Sequence, residues 1–97
     1  MAEKIEVLNV NHPGKSSRVN AAKYQAMKAA ILKTMPKGEP GVKIADASAA
    51  AKAKLPHDLF PGGSTAGWWF KCVQLDLEAH GEIARSPGSP IHLWLTH

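Results

Sequence analysis

The sequence predicts a small, mainly α (α+β) domain, with three helices followed by a C-terminal β-hairpin. Three observations point there. Apolar residues recur at helical spacing around residues 20–35 and 65–80, and again in an alanine-rich stretch between them. Prolines and glycines cluster between those stretches, where they interrupt helices. The tail then changes to alternation, with Ile91, Leu93 and Leu95 set against His92 and Trp94, which is the period of a strand.

The opening Glu3 to Val10 carries a partial strand pattern, Ile5 and Val7 alternating with Lys4 and Glu6, before Asn9, Asn11, Pro13 and Gly14 break it. It reads as an arm or edge strand, and residues 1–18 as an N-terminal arm. From Ser16 the pattern turns helical. Asn20 suits an N-cap, and Tyr24, Met27, Ile31 and Met35 fall within about 80° of arc on one face. Pro36 ends this first helix, because the residue before a proline is pushed out of the helical region. The sequence Lys37 to Gly41 is a loop by composition. Ile44, Ala47 and Ala51 then place a second helix over about residues 43–54, ending before Pro56.

The stretch LPHDLFPGG is a compact turn whose Leu59 and Phe60 plug the core. Ser64 or Thr65 should cap the third helix, and Gly81 should stop it after His80. On that helix Ala66, Trp69, Phe70, Val73, Leu77 and His80 share one face, while Trp68, Cys72, Leu75 and Ala79 share a neighbouring one. Gly67, Lys71, Gln74 and Glu78 are left as a narrow strip for solvent. The tail pairs Glu82–Arg85 with Ile91–Leu95 across a turn holding Pro87 and Pro90.

Composition narrows the function. The chain has 97 residues, 44% hydrophobic and 21% charged, a globular balance with room for one modest core. No apolar run is long enough to span a membrane. The acidic, interrupted start is unlike a secretion signal, and the single cysteine, Cys72, excludes an internal disulfide; both predict a cytoplasmic chain. The net charge of +4 is unevenly spread, with residues 1–54 at +6 and residues 55–97 at −2. A basic excess suits acidic partners such as nucleic acid, and lysines on alanine-rich helices equally make a solvated face.

Three helices ending in a hairpin is the layout of the winged helix-turn-helix fold, which the chain resembles over about residues 19–95, so that residues 19–97 read as a winged-helix domain. The stretch FPGGSTAGWWFKCVQLDLEAHGEIAR is also similar to the signature of a small bacterial family of uncharacterised winged-helix-like proteins. The GWW and VQLDLEA pieces and the closing glycine carry that resemblance. It implies the fold and brings no activity with it.

By that layout the third helix would enter the major groove of duplex DNA, with Lys71 and Gln74 as its readers and Glu78 opposing phosphate on the same strip. Lys15, Arg18, Lys43, Lys52 and Lys54 would supply phosphate contacts, with Arg85 on the wing. The competing expectation is a protein partner or a homodimer, held through an aromatic rim of Trp68 and Trp94.

Catalysis finds no support in the sequence. Cys72, Asp76 and His80 stand one turn apart, and the ends of that row are about 12 Å from each other, too far to share an ion. Asp76 needs a donor instead, with His80 or Arg85 as candidates. The remaining histidines lack metal-ligand spacing, and neither glycine-rich turn has the phosphate-loop pattern. The expectation is therefore a non-enzymatic domain with no metal and no cofactor.

Overall fold

The computed structural model describes residues 3–97; Met1 and Ala2 of the expected arm lie outside them. The chain runs β1 (Lys4–Leu8), β2 (Ser16–Asn20), α1 (Ala21–Thr34), β3 (Val42–Lys43), α2 (Ile44–Lys52), a 3-10 turn at Pro61–Gly63, α3 (Ala66–Ala79), β4 (Ile83–Arg85) and β5 (His92–Leu95). Among the described residues this is a small α+β fold of three α-helices and two antiparallel sheets. One sheet is β1–β2 and the other is ordered β3-β5-β4.

The segment read as an arm is a hairpin. Ser16–Asn20, expected to begin the helical pattern, is instead extended and pairs with β1 in the register Lys4↔Asn20 to Leu8↔Ser16. The alternation of β1 explains why: Val7 is buried in the main core, with Ile5 and Val19 packed against it. A strand with one apolar face needs both a ladder partner and a cover. β2 supplies the first and α3 the second. Asn20 does cap α1, its side-chain oxygen accepting from the Lys23 N–H at 3.0 Å.

The helix stripes meet as their periodicity requires. Tyr24, Met27 and Ile31 of α1 and Trp69, Val73 and Leu77 of α3 belong to one buried cluster, joined by Ala47 and Ala51 of α2 and by Ile83, Leu93 and Leu95 of the sheet. Phe60 plugs this core as expected, its ring edge-on to Trp69 at 6.5 Å, while Leu59 is half-buried. His80 departs from the expected core face. It is the C-cap residue, with its side chain 49% exposed.

Two local features have a different basis from the one expected. α3 takes no side-chain cap: Thr65 sits in the left-handed region with φ 58°, and its hydroxyl donates to the Ser64 carbonyl at 2.6 Å. α2 is shorter than expected at its start because Val42 and Lys43 add to the outer side of β5, pairing Val42↔Leu93 and Lys43↔His92. The strand phase of the tail holds. Leu93 and Leu95 are buried, and the ladder stops at Arg85 and resumes at His92, outside Pro87 and Pro90. Trp94 is half-buried, with its ring beside Gly41.

Candidate functional site

α3 and the strand that follows it are held together by the helix stop. Gly81, with φ +76°, lets the chain reverse, so the Gly81 N–H bonds the Glu78 carbonyl at 3.1 Å and the Glu82 N–H bonds the Leu77 carbonyl at 2.9 Å. β4 therefore starts beside the helix it has just left. This brings Arg85 alongside Glu78, seven residues earlier, in a forked ion pair: Nε to Oε1 at 2.5 Å and Nη2 to Oε2 at 2.7 Å. Gln74, one turn before Glu78, donates its amide Nε2 to the same Oε2 at 2.8 Å. The pairing holds the Arg85 guanidinium above its usual range, through the hydrogen bond to Glu78 first.

The strip expected to face solvent is thus largely closed. Gly67 and Lys71 are exposed, but Gln74 is 4% exposed and the Glu78 side chain is also 4% exposed. β4 folds back over the end of the strip, which helical periodicity by itself does not reveal.

In front of this network lies a groove of about 410 Å³, bounded by Ile44 and Ser48 of α2, by Gly67, Lys71 and Gln74 of α3, by Arg85 and Ile91 of the C-terminal hairpin, and by Asn11. Its charged lining residues are Lys71 and Arg85, and no carboxylate lines it among the described residues. Lys52 reaches its rim, with Nζ 3.8 Å from where a Cβ on Gly67 would stand. Three expected nucleic-acid residues, Lys71, Gln74 and Arg85, therefore share one groove. Lys43 is exposed at the start of α2, beside the groove residue Ile44. Lys54 is exposed in the turn after α2, and Lys15 and Arg18 lie on the N-terminal hairpin, where Arg18 faces Glu6 across the ladder.

The second apolar face of α3 lies beneath the N-terminal hairpin. Leu75 is buried, Cys72 is half-buried, and Trp68 is 59% exposed. A cleft of about 270 Å³ runs between Trp68, Lys71, Cys72 and Leu75 on one side and Val7, Leu8, Asn9 and Ser17 on the other. The Trp68 ring stands edge-on to buried Trp69 at 5.0 Å. Trp94 lines neither this cleft nor the groove.

Asp76 is 2% exposed, and its partners come from far along the chain. The Tyr24 hydroxyl donates to Oδ2, and the Leu8 backbone N–H donates to Oδ1 at 2.8 Å. His80, one of the two expected donors, has Nδ1 3.4 Å from Oδ1 and 2.8 Å from the Asp76 carbonyl oxygen. Arg85, the other, is engaged by Glu78. Tyr24 escaped sequence reasoning because it reads as one more apolar position on the α1 stripe. The available signal was its hydroxyl, since a buried tyrosine O–H usually finds a partner.

Burial, and then the hydrogen bond to Asp76, hold the Tyr24 phenol well above its ordinary range. Burial, and then Asp76, likewise push the Cys72 thiol up, away from the reactive thiolate. No cluster of three or more His, Cys, Asp or Glu residues suited to a metal occurs among the described residues.

Tyr24→Phe is expected to lower stability by about 1.5–3 kcal/mol, the range for a hydrogen bond to a charged group. A phenol held above its unfolded value stabilises the fold below about pH 10, and that contribution is lost as the pH rises through the folded value. Thermal melts from pH 8 to 11 should show a larger alkaline loss in the wild type than in Tyr24→Phe, which keeps only the part due to the raised Cys72 thiol.

Fold and site together define a small α+β domain with a cationic groove between two helices and a hairpin. The chain belongs to the family of unknown function DUF6958, whose family model matches residues 4–93. No curated protein and no solved structure matches it. No helix among the described residues is long and apolar enough to cross a membrane.

Proposed function

We propose that the chain is a winged-helix domain that binds double-stranded DNA through its phosphates, without catalysing a reaction. The observation that carries this reading is the groove between α2, α3 and the β4–β5 hairpin, whose charged lining is wholly cationic. The order helix, strand, helix, helix, hairpin, with the first of these strands on the outer side of the last, supports the winged-helix assignment. In such domains the helix before the hairpin and the hairpin itself face the duplex. Gln74 is too buried to read a base edge, so the binding is phosphate-led and weakly sequence-dependent.

Binding to mixed-sequence duplex DNA should fall along a log–log line in salt, with a slope set by the number of phosphates neutralised. Lys71→Ala, at an exposed position, should leave the melting temperature within about 2 °C, as surface changes do. It should also make the slope shallower by about one unit. A wild-type protein that does not bind duplex DNA at low salt would rule the reading out.

The exposure of Trp68 favours a second reading, in which that face meets a protein partner or another copy of the chain. Sedimentation decides this for the self-association case. A dimer that Trp68→Ala dissociates without unfolding assigns the cleft to self-contact, and a wild-type monomer excludes it.

A further inference from the structure

Glu78 is the one acid on the polar strip of α3, and by sign alone it should repel a phosphate in the neighbouring groove. Its surroundings imply a different role. The carboxylate is buried, and its two oxygens accept three hydrogen bonds: Arg85 Nε on Oε1, and Arg85 Nη2 and Gln74 Nε2 on Oε2. The charge is therefore paired and turned inward. A guanidinium has five N–H donors in a rigid fork. Glu78 takes two, which fixes the plane of the fork and leaves the other donors to a side chain that is 34% exposed and lines the groove.

We propose that Glu78 is a positioning residue, holding the Arg85 fork ready for phosphate on the groove floor. This rests on the reading that the groove takes nucleic acid. A phosphate that drew Arg85 away would leave the Glu78 carboxylate, on a side chain 4% exposed, with Gln74 as its one remaining hydrogen-bond donor of the three, so Arg85 stays with Glu78. The phosphate meets instead a fork already ordered, which spares the ordering of a long side chain on binding. Gln74 braces the carboxylate from the preceding turn of α3.

The test is a salt titration of mixed-sequence duplex binding with the wild type, Lys71→Ala and Glu78→Gln. Glu78→Gln removes a negative charge near the ligand, yet it should weaken binding at fixed salt and make the slope shallower by about one unit, as losing one phosphate contact does. A merely structural role would not move the slope. Unchanged or tighter binding by a folded Glu78→Gln, with Lys71→Ala still losing its unit of slope, overturns the positioning role and leaves the groove reading standing. No binding by the wild type overturns both. If Glu78→Gln does not fold, the Arg85 Nε proton is followed by NMR in the wild type as duplex is added. A resonance that shifts while staying protected supports the proposal, and one that loses protection shows release from Glu78 and overturns it.

Discussion

Leu77→Ala is expected to lower the unfolding free energy by about 2–5 kcal/mol, the range for emptying a packed leucine site. Leu77 is 0% exposed and sits in the cluster where the α3 stripe meets Tyr24, Met27 and Ile31 of α1. Its surroundings are other buried side chains in regular elements, which limits how far they can collapse into the space. A domain of this size has about 5–15 kcal/mol of stability in all, so the substitution removes a large share. Each kcal/mol corresponds to roughly 4–8 °C in melting temperature at this length. Urea denaturation followed by tryptophan fluorescence measures the change, and a loss below about 1 kcal/mol would mean that Leu77 is not at the α1–α3 contact.

Gly41→Ala is expected to be as damaging, for a reason of geometry. Gly41 has φ +71°, and a Cβ there would stand 2.2 Å from the Leu93 carbonyl oxygen and 2.8 Å from its carbon. Both are backbone atoms of the central strand and cannot rotate away. The left-handed conformation costs a non-glycine residue roughly 1–2 kcal/mol, and forced overpacking adds about 1–3 kcal/mol. Gly81→Ala separates the two effects. Gly81 has a similar φ of +76°, but a Cβ there meets nothing within 4 Å, so only the conformational part applies. The difference between the two variants should be about 1–3 kcal/mol. Hydrogen exchange would locate it, with faster exchange expected at Ile44, whose N–H bonds the Ile91 carbonyl next to the β3–β5 pairing. Equal losses in the two variants would mean that β3 does not approach β5 at this point.

Local chemistry determined much of this protein from sequence alone. The apolar stripes of α1 and α3, the Asn20 cap, the Gly81 stop and the inward phase of Leu93 and Leu95 all follow from periodicity and backbone restrictions acting within a few residues. The polar residues of the groove were legible as well, because Lys71, Gln74 and Arg85 lie on elements whose order was already clear. What remained hidden depends on partners distant in the chain. Ser16–Asn20 is a strand only because β1 pairs with it, and Val42–Lys43 only because β5 lies fifty residues further on. Asp76 is satisfied by Tyr24 and Leu8, separated from it by 52 and 68 residues. Gln74 and Glu78 looked solvent-facing on a helical wheel, and β4 covers them. A wheel shows which residues share a face; which segment covers that face depends on how the chain returns to it, and only the tertiary structure decides that.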